Sequence, residues 1–103
     1  MQSMMKLPES MTVRNSKKFH KDLTYALNNS EDLTLDVSSV VETDISLIQT
    51  IYAARYYAEI HSKTIRLDKP AGGAVAALLA RGGFTTDLDP ADSDFWFHGD
   101  LPQ

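Results

Sequence analysis

The chain contains no cysteine. Disulfide staples and zinc–thiolate sites are therefore excluded, and the composition fits a reducing compartment. No apolar run approaches the roughly 20 residues that cross a bilayer. The opening residues also lack the apolar core of a secretory leader, so the expected location is the cytoplasm, without membrane insertion. Positive charge is scarce as well: ten Lys and Arg face fourteen Asp and Glu, a net charge of −4. That is the wrong sign for a protein whose main partner is nucleic acid. With only five glycines and four prolines there is no low-complexity linker, and no internal repeat is visible.

What is present is an ordinary folding composition, 43% hydrophobic and 23% charged, unlike that of a disordered chain. At 103 residues a single domain is expected over 1–103. Its core covers about 4–84, and a tail over 85–103 is docked by aromatics. Charge is uneven along the chain. Lys6, Arg14, Lys17, Lys18 and Lys21 lie near the start, and Asp87, Asp89, Asp92, Asp94 and Asp100 crowd the end, which reads as two solvated faces.

Residues 4–7 predict a short edge strand closed by Pro8, which has no N–H for a ladder. Asn15 and Ser16 are candidate caps for a helix in which Phe19, Leu23, Ala26 and Leu27 recur at helical spacing. Asn28-Asn29-Ser30 ends it. Leu33, Leu35 and Val37 alternate with polar residues, the pattern of a half-buried strand. Thr43-Asp44 caps a second helix over about 45–61, residues 64–67 alternate again, and Pro70 opens a third helix with Val75, Leu78 and Leu79 inward. Gly82-Gly83 stops that helix, since glycine accepts left-handed geometry. Strand–helix–strand units imply parallel neighbours with right-handed crossovers. Because the strands alternate rather than run apolar throughout, one sheet face is expected to be open.

The segment Leu33-Thr34-Leu35-Asp36-Val37-Ser38-Ser39-Val40-Val41-Glu42-Thr43-Asp44-Ile45-Ser46-Leu47-Ile48-Gln49 resembles the central motif of STAS domains, the family of the anti-sigma factor antagonists. Asp36, Ser38 and Asp44 carry the match, with Arg66-Leu67 and Gly82-Gly83-Phe84 in the corresponding order. Among STAS domains, Asp44-Ile45-Ser46-Leu47-Ile48-Gln49, Ala53-Ala54-Arg55 and Phe95-Trp96 look most like the stand-alone proteins of bacterial chemotaxis operons. The resemblance implies an α/β fold, a STAS-like mixed sheet with parallel strands and helices packed mainly on one face. It implies a non-catalytic protein-interaction module of bacterial signal transduction. The implied partner is a histidine-kinase-type ATPase, either a chemotaxis histidine kinase or an anti-sigma kinase. The alternatives are an accessory subunit docking on the ATPase of an ABC-type lipid transporter, and a small-ligand sensor with a pocket beneath the C-terminal aromatics. At the family's phosphorylated Ser or Thr this chain has Ile45, which has no hydroxyl. Ser46 and Thr43 are the nearby alternatives. The family glycine two residues further on is Leu47.

On a helical wheel of the second helix, Leu47, Ile51, Ala54 and Ala58 face the sheet. Ile45, Gln49, Tyr52, Tyr56 and Glu59 fall opposite, with Arg55 at the margin. Together with Asp44 and Ser46, the residues Ile45, Gln49, Tyr52 and Tyr56 form the candidate partner-binding set, because exposed aromatics beside an arginine are the residue types enriched in interface hot spots. A homodimer on this face is a further option. No cofactor or catalytic residue is expected. His20, His61 and His98 lie in different elements, without metal-ligand spacing. The Asp87–Asp94 run lacks the calcium-loop spacing and glycine, and Gly72-Gly73 is not followed by the Lys-Ser/Thr of a phosphate-binding loop.

Overall fold

Periodicity in the apolar residues sets most of the elements. The computed structural model describes residues 2–85 and 89–99. In chain order they form β1 (Gln2–Lys6), β2 (Ser10–Met11), a 3-10 turn (Val13–Asn15), α1 (Ser16–Asn28), β3 (Asp32–Asp36), β4 (Glu42–Thr43), α2 (Ile45–Ile60), β5 (Thr64–Leu67), α3 (Gly73–Arg81) and α4 (Pro90–Phe97). Asp87 and Asp100 of the acidic C-terminal run lie outside the described residues, as does the rest of the tail beyond Gly99.

The main sheet has the order β1-β3-β5. All its pairs are parallel, with Met5 opposite Leu35 and Leu35 opposite Leu67. The antiparallel component of a mixed sheet is absent among the described strands. The Met5–Leu35–Leu67 row turns inward, where Leu35 and Leu67 are buried. The next row, Met4–Thr34–Arg66, points the other way, and Met4 is 58% exposed. Helices thus cover one face and leave the other open, as the alternation predicts. The core under α1 is Phe19, Leu23 and Leu27, each worth roughly 1.5–3 kcal/mol on burial. Under α2 it is Leu47, Ile48, Ile51, Ala54 and Ala58, and under α3 Val75, Leu78 and Leu79. None of the described helices is long and apolar enough to cross a membrane.

Two local expectations need correction. Asn15 stands at the N-cap of α1 but makes no capping bond there. Its amide is spent on the preceding turn, where Oδ1 accepts the Thr12 N–H at 2.8 Å and Nδ2 donates to the Ser10 carbonyl at 2.6 Å. The Ser16 hydroxyl likewise points back, donating to the Val13 carbonyl. Pro70 does not open α3. Gly73, the first residue of α3, has φ +53°, a left-handed geometry that stops the helical path from running back to Pro70. Within the tail, the segment around Pro90 is a helix: Asp89 accepts the Asp92 N–H at 2.8 Å and Pro90 occupies the first turn, a good start signal.

A second, two-residue pairing of β2 with β4, also parallel, positions the entrance to α2. Ser10 Oγ donates to Glu42 Oε1 at 2.8 Å and Thr43 Oγ1 to the Met11 carbonyl at 2.8 Å. The Glu9 carbonyl accepts from both Val41 and Glu42 N–H. Val41, Glu42 and Thr43 are thereby held in one geometry ahead of the helix.

Candidate functional site

The head of α2 is organised by one carboxylate. Asp44 Oδ1 accepts the Ser46 N–H at 3.0 Å and the Ser46 hydroxyl at 2.5 Å, while Oδ2 accepts the Val13 N–H at 2.9 Å. The side chain satisfies one orphan amide of its own helix, and it ties that helix to the turn before α1. The Ser46 hydroxyl is the main reason that the Asp44 carboxyl lies below its ordinary value of 3.8, with the Val13 and Ser46 amides adding to it.

With the polar groups turned inward on one another, apolar side chains are left outside. Ile45 is 43% exposed, and in the segments bonded around the head of α2 Val13 is 67% and Val41 71% exposed. Gln49 and Ala53 are exposed further along α2, and Tyr56 and Ile60 are 68% and 58% exposed. Ile45, Gln49, Ala53, Tyr56 and Ile60 follow one another at helical spacing along one solvent-facing stripe.

Tyr52 behaves differently from the rest of the expected set. It is half-buried, with its ring 6.1 Å from that of Phe84 and 6.2 Å from that of Trp96. Arg55 lies over the Tyr52 ring at 5.2 Å and the Phe95 ring at 4.5 Å, and its guanidinium pairs with Asp92 at 2.8 Å. Cation–π contact and ion pair together staple α4 to α2. Trp96 is wholly buried. The structure therefore brings Asp44, Ile45, Ser46 and Gln49 together at the head of α2, carries Tyr56 two to three turns on along the same stripe, and turns Tyr52 aside into the α4 junction.

Val13, Val41, Ala53 and Ile60 were not in the sequence-derived set. Ile60 was within reach, four residues past Tyr56. Val13 and Val41 belong to short irregular segments with no period from which to read a face.

Asp36, His61 and His98 have structural partners. Asp36 accepts both the N–H and the hydroxyl of Ser38, at 2.9 and 2.6 Å, closing the turn after β3. His61 stacks on Tyr57 at 4.2 Å, and His98 Nε2 lies 3.0 Å from the Leu67 carbonyl. Among the described residues no group of three or more His, Asp or Glu is placed to hold a metal ion. A groove of 660 Å³ runs between α2, β5 and α4, lined by Tyr56, Glu59, Lys63, Arg66 and Phe95 among others.

Comparison with protein families returns a match over residues 1–90, to a family model described as Mlab, STAS domain. Among curated proteins none matches the chain.

Proposed function

Since this chain belongs to the STAS domain family, we propose that it is a non-catalytic protein-interaction module that docks through the α2 face on a histidine-kinase-type ATPase, of the chemotaxis or anti-sigma class. The observation that carries this reading is the head of α2. There a rigid carboxylate cap, Asp44, holds the 43% exposed Ile45 outward at the position where the family resemblance would place a phosphorylated hydroxyl. An isoleucine cannot accept a phosphoryl group, and it supplies an apolar anchor instead. The two nearby hydroxyls are engaged, Ser46 with Asp44 and Thr43 with the Met11 carbonyl. Docking is then constitutive, and any regulation belongs to the partner.

The test is capture of partners from the native cell extract by tagged wild type and by an Ile45→Asp/Tyr56→Ala variant, with mass spectrometry of the eluates. A histidine-kinase-type ATPase retained by wild type and lost by the variant is the expected result. Recovery of an ABC-transporter ATPase in its place would replace the kinase by the alternative partner. Stoichiometric phosphorylation of Ser46 or Thr43 by the captured kinase and ATP would overturn constitutive docking.

A further inference from the structure

Two hydrogen bonds fix how α1 lies against α2. The Val13 N–H binds Asp44 at the heads of the two helices, 31 residues apart in sequence, and Tyr57 binds Asn28 at their tails, 29 apart. The helices therefore run side by side in nearly constant register. Lys17, Lys21 and Asn28 recur at the spacing of one helical stripe, and Asn28 is bonded to α2. Lys17 and Lys21 are exposed and border the apolar stripe of α2, with exposed Arg14 at its head. No described carboxylate pairs with any of these three cations, whereas Lys18 has Asp22 at 3.8 Å. On the other side of α2, Arg55 is paired with Asp92, and the groove towards α4 carries Glu59, Asp89 and Asp94 against Lys63 and Arg66.

The exposed stripe thus lies between an unneutralised basic flank and a more acidic one, in a chain whose net charge is −4. We propose that this face takes an acidic amphipathic helix of its partner, apolar where it lies on Ile45, Ala53 and Tyr56, with carboxylates along the α1 side. The proposal rests on the docking reading above and adds the chemistry and orientation of the partner segment. α2 has 16 residues, about 24 Å, which suits an opposing helix of four to five turns. Charge of this kind chiefly sets orientation and association rate, and salt weakens it. A protein segment is favoured over an anionic membrane because Glu59, Asp89 and Asp94, which outnumber Lys63 and Arg66 in the groove, would face the same lipid headgroups that attract Lys17 and Lys21.

The experiment is a backbone-amide NMR titration of the full chain with a synthetic helical peptide of about 18 residues, leucine on one face and glutamate on the other. Its lysine counterpart and phosphatidylserine vesicles serve as comparisons. The glutamate peptide should shift Lys17, Lys21, Gln49, Ala53 and Tyr56. Lys17→Glu/Lys21→Glu should weaken it about tenfold and admit the lysine peptide. Shifts elsewhere, equal binding of both peptides, no binding of either, or an equal response to vesicles would overturn the proposal. A chain that binds the glutamate peptide yet captures no ATPase would refute the kinase reading and leave this one standing.

Discussion

The two ends of α2 are built from different chemistry, although they belong to one helix. At its head, order comes from short directional bonds: Asp44 to Val13 and Ser46, Thr43 to Met11, Ser10 to Glu42. Hydrogen bonds consume polar atoms and bury little carbon, so Val13, Val41 and Ile45 stay in solvent. Towards its tail, order comes from stacked area. Tyr52, Phe95 and Trp96 meet edge to face, and Arg55 lies between two rings. On its α4 side that end hides Tyr52 with Phe95 and Trp96 and spends Arg55 internally, while Tyr56 and Ile60 continue the open stripe. A head with apolar side chains outside is suited to docking, and an α4 side that buries its rings is suited to stability. The contrast makes separable claims about substitutions at each end.

The largest effect is expected at Trp96. The indole is wholly buried and its N–H has no partner among the described residues, so the ring contributes through area and packing rather than through a hydrogen bond. Trp96→Ala should cost about 3–5 kcal/mol, read as a fall in the urea midpoint. A loss below about 1 kcal/mol would mean that α4 is not part of the stabilising core and that the contrast between the two ends is wrong.

A smaller effect is expected at the head, and it depends on pH. Removing the cap by Asp44→Ala should cost about 1 kcal/mol at neutral pH. The folded carboxyl is held below its ordinary 3.8, chiefly by the Ser46 hydroxyl. Its contribution is therefore complete above that value and disappears as pH falls through the lower folded one. Urea unfolding of wild type and Asp44→Ala from about pH 6 to about pH 2 should show the gap between them closing only on the acid side. A gap that stayed constant would show that the charge on Asp44 does not contribute to the cap.

The same contrast explains how far the sequence could be read. Phe19, Leu23 and Leu27 on α1 and the alternating Leu33, Leu35 and Val37 made the main helices and strands legible, because burial imposes a period of 3.6 or 2. Asp44 was legible as a cap for an equally local reason. The pairing of Ser10–Met11 with Glu42–Thr43 was not, since two residues have no period and their partners lie 32 positions apart. Pro70 misled because Gly73 interposes a left-handed turn that only the folded chain requires. The helix over 90–97 had its Asp-Pro start signal, but Phe95, Trp96 and Phe97 are all buried together, so no apolar stripe marked it. Tyr52 and Tyr56 looked alike on a helical wheel. What separates them is α4, which covers Tyr52 and leaves Tyr56 68% exposed.

That pair gives the finest test. Tyr52→Ala removes a ring in contact with Phe84 and Trp96 and should cost about 1–3 kcal/mol. Tyr56→Ala removes a ring that is mostly in water and should change stability by no more than about 0.5 kcal/mol. Partner binding should follow the opposite order, with Tyr56→Ala abolishing capture by a fully folded protein. Tyr52→Ala should reduce capture only as far as it unfolds the chain, which denaturation of the same samples would reveal. If Tyr56→Ala left capture intact while Tyr52→Ala lost it without unfolding, the docking surface would have to move from the open stripe of α2 to its junction with α4.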